Sequence, residues 1–294
     1  SQILKIMRSL NHRMELTQKQ KNYYAYLEKG LEGERRFDTL IASLTIPNLY
    51  LQDILLKCNG TYFQIDALMI TKNVMYLFEI KNYEGEYMLD GTSLINCTSK
   101  KEVLNPTLQL DRSKTLLKQL LNEQNLDIDL KAYVVFINQE FTLYQSSQNE
   151  KFLLPGRIKR FLKELDKENG RLSAAQYYCS DTLCKQNLIE NPFADLPNYS
   201  YETIKKGLLC QKCFSEITRL TGRMVKCSNC QHSESTQATV LGHINEFALL
   251  FPEKELTTSA IYEWCSNTPS IYTIRLVLKR NFQVKNLGKI KVYG

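Results

Sequence analysis

The sequence predicts an α/β fold, a mixed sheet flanked by helices with a smaller helical module after it, and three observations carry that expectation. Two runs rich in β-branched and aromatic residues, 63–71 and 74–82, are separated only by Lys72 and Asn73 and read as a β-hairpin. Leucines recur at helical spacing after Asn105-Pro106, and a buried-strand run follows at residues 131–138, so strands, helix and strand succeed one another as a mixed sheet requires. Beyond residue 200 the chain changes to two close cysteine pairs followed by short amphipathic segments.

Residues 5–27 are polar with scattered apolar positions and read as an N-terminal helical arm. Leu31, Phe37, Leu40, Ile41 and Leu44 then keep helical spacing in a second helix that ends before Pro47. Glu34 lies close to the apolar face of that helix, either as a carboxylate that reaches the sheet or as an early Glu favoured by the helix dipole. Residues 49–58 form a first strand, Asn59-Gly60 a tight turn, and residues 86–96 a fourth strand, broken at Asp90-Gly91, that continues one antiparallel sheet. The helix opened by Asn105-Pro106 buries Leu108, Leu110, Leu116, Leu117, Leu120 and Leu121. Gln109 and Arg112 share a neighbouring surface of it, where Gln109 is either a contact to phosphate or base or a solvated amide. Residues 141–144 read as a short strand, 158–165 as a helix, 172–196 as helical, and the domain boundary falls near 197–206.

A two-residue loop between the central strands puts Asp66 opposite Glu79, with Lys81 on the same face because side chains alternate. Opposed like charges destabilise a sheet, so this pattern needs a compensating cation. Lys81 supplies one positive charge. A divalent ion bridging Asp66 and Glu79 would supply the rest; hard oxygen ligands suit Mg²⁺ or Mn²⁺, and the Ile80 carbonyl adds another oxygen. The spacing by itself fits a structural ion pair on a solvated face equally well.

Asp66, a strand's length and then Glu79-Ile80-Lys81 resembles the PD-(D/E)xK nuclease core. Gly30-Leu31-Glu32-Gly33-Glu34 upstream, with Asn105-Pro106-x-x-Gln109 and Tyr133-Val134-Val135-Phe136 downstream, makes the ordered set similar to the nuclease-related domain (NERD) family over residues 25–140. The resemblance implies a Mg²⁺-dependent nuclease with Glu34, Asp66, Glu79 and Lys81 as its acidic and basic site residues and Gln109 facing the same site. The chain departs from the common pattern in having Ile65, where Pro often precedes the Asp.

Charge points to the same partner. The net charge is +7, and its placement at the ends suits a polyanion, with nucleic acid, and DNA in particular, expected. Residues 269–294 hold Arg275, Lys279, Arg280, Lys285, Lys289 and Lys291 without an acid, and residues 1–24 hold five cations against Glu15. No apolar run approaches the roughly 20 residues of a membrane span, and the start lacks the apolar stretch of a signal peptide, so a cytoplasmic protein is expected. No phosphate-binding P-loop is present; energy-driven unwinding would need a separate helicase or other protein partner.

Cys210-x-x-Cys213 and Cys227-x-x-Cys230 bring four thiols to the spacing of one tetrahedral Zn²⁺ and resemble a zinc ribbon, with a hairpin expected at residues 218–225 around Thr221-Gly222. Four thiolates leave no place for water, so this zinc is structural. Residues 241–251 and 256–265 read as helices. A third, with Thr268 as N-cap, Pro269 at its first position and Ile271, Ile274, Val277 and Leu278 buried, precedes a basic hairpin around residues 286–288, the pattern of a winged helix-turn-helix or of a helical protein-interaction module with a basic surface. The expected divisions are 1–28, an N-terminal arm; 29–200, the nuclease-related domain; 201–236, the zinc ribbon; and 237–294, the winged-helix-like domain. Two functions fit: a metal-dependent nuclease with a C-terminal substrate-binding module, or a non-catalytic nucleic-acid-binding or adaptor protein on a degenerate nuclease fold.

Overall fold

Two helices precede the sheet. α1 (Gln2–Arg13) turns Leu4, Ile6, Met7 and Leu10 inward, and α2 (Gln18–Ile41) buries Gly33, Phe37 and Ile41, one residue per turn along a single stripe. Thr17 and Gln20 cap each other before α2: Gln20 N donates to Thr17 Oγ1 (3.3 Å) and Thr17 N to Gln20 Oε1 (2.9 Å). The helical break thus falls at residues 14–17, whereas residue 28, the expected end of the arm, lies inside α2. The computed structural model describes residues 2–144, 150–168, 170–188, 196–217, 220, 222–287 and 290–293, with backbone alone for 285–287 and 290. The chain divides into two compact units, residues 25–193 and residues 3–24 with 194–294.

The first unit contains β1 (Leu49–Cys58), β2 (Thr61–Ile70), β3 (Val74–Lys81), β4 (Gly85–Asp90), β5 (Ser93–Asn96), β6 (Glu102–Leu104), α3 (Pro106–Glu123), β7 (Asp129–Phe136), β8 (Phe141–Tyr144), β9 (Phe152–Leu153), α4 (Pro155–Leu165) and α5 (Ala174–Gln186). Its main sheet has the order β1-β2-β3-β7-β9. β1, β2 and β3 are antiparallel, and β3, β7 and β9 parallel. Asn59 and Gly60, both at positive φ, close the first turn. The β2/β3 loop is two residues long, with Thr71 N donating to Val74 O (2.9 Å), and sets Leu68 against Leu77 and Ala67 against Phe78. Residues 86–96 do not continue this sheet. β2 and β7 already occupy both edges of β3, so the chain begins a second sheet, ordered β6-β5-β4-β8.

One face of the main sheet packs Phe37 and Ile41 of α2 and Ile158, Leu162 and Leu165 of α4 on Met69, Tyr76 and Phe78. The opposite face packs Leu110, Leu117 and Leu121 of α3 and Cys179 and Leu183 of α5 on Leu68, Ile70, Met75 and Leu77. Leu108 differs from expectation: it is 43% exposed, because the buried stripe of α3 runs through Thr107, Leu110, Ser113 and Leu117. Along β2 the residues in this second core change from odd (Phe63, Ile65) to even (Leu68, Ile70), and along β1 from odd (Leu49, Leu51) to even (Ile54, Leu56). Both switches bracket Asp53 and Asp66. Pairing passes from Gln52–Ala67 to Ile54–Ile65 without them, and Asp53 has φ 48. The two strands kink together there, which frees both aspartates from the alternating pattern.

The second unit adds β10 (Leu208–Leu209), β11 (Glu216–Ile217), β12 (Met224–Lys226), β13 (Ser233–Ser235), α6 (Thr236–Leu250), β14 (Leu256–Thr257), α7 (Thr258–Trp264), α8 (Ile271–Asn281), β15 (Val284–Leu287) and β16 (Ile290–Tyr293) to α1. The last three strands form a sheet ordered β14-β16-β15. α1 is fastened by Arg13, whose side chain is fully buried. It donates through Nε (2.8 Å) and Nη2 (2.6 Å) to both oxygens of Glu246, through Nη1 to Lys205 O (2.8 Å), and lies 4.2 Å over the Trp264 ring. The hairpin expected at 218–225 falls on Thr218 and Thr221, which lie outside the described residues; β12 pairs with β13. α8 begins later than expected. Ser270 is its N-cap, accepting from Thr273 N (3.1 Å), so Ile271 falls in the first turn and is 43% exposed, while Ile274, Val277 and Leu278 are buried.

Candidate active site

The β2/β3 ladder ends at Ala67–Phe78, and the Asp66 side chain continues it. Ile80 N donates to Asp66 Oδ2 (2.7 Å), so the kink at Asp66 turns a carboxylate toward the end of β3. On β3 itself Lys81 Nζ donates to Glu79 Oε1 (2.6 Å) and to Gln109 Oε1 of α3 (3.2 Å), with Glu79 only 1% exposed. The fold therefore brings Asp66, Glu79, Lys81 and Gln109 together from β2, β3 and α3. Glu34 joins them electrostatically from α2.

The approach of α2 is set by Gly33. A β-carbon there would lie 2.7 Å from Asn82 Cβ and 3.2 Å from Ile137 Cγ2, so only glycine lets the helix come this close to the end of β3. Asn82, also buried, donates through Nδ2 to Lys29 O (2.8 Å) and ties the same turn of the helix down. Its neighbour in sequence is Lys81, and the neighbour of Gly33 is Glu34, so one contact positions two charged groups.

Glu34, Asp66 and Glu79, with Asp53 behind them, set four acids against one ammonium. Burial pushes the Glu34 carboxyl up to about 7, and Asp66 and Asp53 add to the rise. Burial likewise raises Asp66, which Lys81 and the Ile80 amide oppose. It also raises Glu79, further lifted by Asp66 and held back by Lys81. For Lys81 burial pulls downward, but Glu79 and Asp66 prevail and its pKa rises, so the amine stays charged. A single ammonium is too little to keep this set ionised, and a divalent cation would meet the shortfall. The donor chemistry, carboxylates around a partly open position, fits Mg²⁺ or Mn²⁺. The carboxylates are not drawn together like a closed metal cage: among the described residues, the four cysteines are the group whose ligand atoms all lie within 4.8 Å of one another.

Two residues of this region escaped sequence reasoning. Asp53 faces the site from β1, and its signal was the change in apolar alternation between Leu49-x-Leu51 and Ile54-x-Leu56. Tyr26 stands at a cleft of about 380 Å³ beside Lys81 and Gln109, 59% exposed, in a helical stretch whose sequence is polar and without apolar periodicity.

In the second unit each C-x-x-C forms the turn of its own hairpin. Cys210 N donates to Ser215 O (2.9 Å) between β10 and β11, Cys227 N to His232 O (2.8 Å) between β12 and β13, and the residue after each second cysteine, Phe214 or Gln231, takes a positive φ. The turns meet with Cys210 and Cys230 sulfurs 3.7 Å apart and Cys213 and Cys227 sulfurs 3.5 Å apart. A tetrahedron with metal–sulfur arms of about 2.3 Å has edges of about 3.8 Å, so the four thiols match a metal centre. Of the basic residues expected to bind nucleic acid, Arg275, Lys279 and Lys291 are exposed. Arg280 is also exposed and donates to Gln237 Oε1 (3.0 Å). The Lys285 side chain and the whole of Lys289 lie outside the described residues.

Residues 29–137 match the family model described as Nuclease-related domain, which indicates a nuclease-related function for the first unit and an interaction with nucleic acid. No curated protein and no solved structure matches the chain significantly. Among the described residues no helix is long and apolar enough to cross a membrane.

Proposed function

We propose that this chain is a divalent-metal-dependent nuclease that hydrolyses phosphodiester bonds in DNA. The observation that carries the reading is the buried Lys81–Glu79 pair with Asp66 turned onto the amide of Ile80, beside an excess of carboxyls. Asp66 and Glu79 would hold Mg²⁺ or Mn²⁺. The Ile80 carbonyl would offer a further oxygen. Such an ion, when bound, makes a coordinated water a better nucleophile and polarises the phosphate. Lys81, held between Glu79 and Gln109, places a fixed positive charge where the phosphate gains negative charge, or orients the attacking water. Glu34, titrating near neutrality, orients water or completes a second ion's ligand set.

The second unit would hold the substrate. Cys210, Cys213, Cys227 and Cys230 bind one structural Zn²⁺, and the order helix, strand, helix, helix, strand, strand from α6 to β16 is that of a winged helix-turn-helix with α8 as the groove-facing helix. Arg275, Lys279 and Lys291 contact phosphates, joined by Arg280, Lys285 and Lys289 in the same basic run.

The test is cleavage of plasmid and oligonucleotide DNA with Mg²⁺, Mn²⁺ or EDTA by the parent and by Glu79→Gln. Metal-dependent cleavage by the parent, lowered on the order of a hundredfold or more by the substitution, supports the reading. Binding without cleavage under any metal leaves a nucleic-acid-binding protein on a nuclease fold.

A further inference from the structure

The cleft beside Lys81 has two kinds of wall. Lys81 and Gln109 line its polar side; the Oε1 of Gln109 is taken by Lys81, which leaves its Nε2 hydrogens as the donors it offers. Tyr26 of α2, Tyr83, Val103 and Leu104 of β6, Asn105 and Pro106 line the rest. Tyr26 is 59% and Leu104 66% exposed, which is unusual for large apolar surfaces on two separate elements facing one hollow. Tyr83, by contrast, is braced from behind by Tyr87, with ring centroids 5.6 Å apart and planes within 21°. The hollow thus pairs a cation and an amide with a flat aromatic and aliphatic lining. A nucleotide has the same two parts, an anionic phosphate and a flat base. At about 380 Å³ the space is at the small end of ligand sites, too little for a stacked base pair and its neighbours.

Resting on the nuclease reading above, we propose that this cleft is a stacking slot for one unpaired nucleobase, with Tyr26 and Leu104 as its exposed walls, so that the scissile strand enters single-stranded or frayed rather than as intact duplex. In a duplex the faces of a base are covered by its stacked neighbours and its edge is paired. Only an extruded or single-stranded base presents a face to Tyr26 while its phosphate reaches Lys81. Tyr26 lies outside residues 29–137, the segment that matches the Nuclease-related domain model.

The experiment uses the full chain and a short single-stranded DNA carrying 2-aminopurine, beside the same sequence annealed to its complement. Stacking on an aromatic ring is worth about 1–3 kcal/mol per base, or roughly 5- to 150-fold. Tyr26→Ala is expected to raise KM for the single strand by that factor with kcat little changed. It should also remove the protein-induced quenching of 2-aminopurine measured in EDTA, while Tyr26→Phe restores both. The affinity for intact duplex, whose base faces are covered, should be unmoved. Because the side chain is exposed, thermal unfolding should be unchanged, which separates the effect from misfolding. Parent-like KM and quenching in Tyr26→Ala, with cleavage intact, overturns the slot and leaves the nuclease reading standing. An equal loss on single strand and duplex also overturns it. Absence of cleavage and of binding in the parent overturns both.

Discussion

Gly33 and Asn82 meet so closely that a β-carbon on the glycine would stand 2.7 Å from that of the asparagine, and this contact seats Glu34 beside the β3 carboxylate. Neither atom is the far end of a flexible side chain, so Gly33→Ala must push α2 away from the sheet. The expected cost is about 1–3 kcal/mol in urea unfolding, with weaker metal binding because Glu34 moves too. Gly30, one turn earlier, has nothing within 4 Å of where its β-carbon would be. Gly30→Ala should gain up to about 1 kcal/mol from helix propensity alone. Equal effects at the two glycines would sink the close-approach argument.

Glu79 supplies a second prediction, and its direction is the reverse of simple charge relief. Removing one of two opposed carboxylates is stabilising on an exposed sheet face. Here Glu79 is buried and accepts from a buried Lys81, so Glu79→Ala removes the ammonium's 2.6 Å partner and leaves it Gln109 and the charge of Asp66. The expected loss is about 3 kcal/mol in metal-free unfolding, with Glu79→Gln milder because the amide oxygen still accepts from Lys81. A metal-free protein stabilised by Glu79→Ala would argue that the pair is not formed in solution.

Glu34 contributes one part of the pH dependence of the metal-free protein, beside the raised Asp66 and Glu79. Its carboxyl titrates at about 7 in the fold, above its ordinary 4.5, so the folded state binds the proton more tightly than the unfolded one. The stability this gives is fully present below pH 4.5 and is lost as pH rises to 7. Glu34→Gln should flatten that decline over the same window, and saturating Mg²⁺ should oppose it, because an ion favours the carboxylate. Chemical unfolding of parent and variant at stepped pH, with and without the ion, checks both.

How much of this was readable beforehand depends on the range of the interactions. The β2/β3 register was legible because a two-residue loop leaves no freedom: once Lys72-Asn73 is the turn, Leu68 must face Leu77. The close Cys210–Cys213 and Cys227–Cys230 spacing was legible for the same local reason. The joint kink at Asp53 and Asp66 was not, since it appears only when the alternation of both strands is compared. The second sheet was hidden because β4 reads like a continuing strand, and the occupation of both β3 edges depends on β7, about fifty residues away. Arg13 looked like one more surface cation of a basic arm. That it is buried against Glu246 and Trp264 is a fact about residues more than two hundred positions apart.

The cysteine cluster gives a prediction about metal content. Elemental analysis of protein purified without chelator should find one zinc per chain, and Cys213→Ser should lower it to a small fraction. Because α1 shares its unit with these hairpins, the loss should expose residues 3–24 as well as the C-terminal segment to proteolysis, while residues 25–193 keep their core. A zinc-free protein with unchanged protease resistance would count against a structural metal.

The last prediction concerns α8, and the structure dictates how it must be tested. Deleting residues 236–294 would take away Glu246 and Trp264, the ion-pair partner and the ring that the buried Arg13 guanidinium rests on, so such a truncation reports misfolding as well as lost binding. Point substitutions avoid this. Arg275 and Lys279 are exposed on α8 opposite the buried Ile274, Val277 and Leu278, so replacing both by Ala should leave unfolding unchanged. Arg280 donates to Gln237 and is the less clean choice. If both side chains meet phosphates, affinity for DNA should fall across all sequences alike, and the slope of log affinity against log salt should drop by nearly two, about one per lost contact. The cleavage site itself is untouched, so KM should rise while kcat at low salt and saturating substrate holds. An unchanged salt slope in the double variant would mean that α8 faces another protein instead of a phosphate backbone.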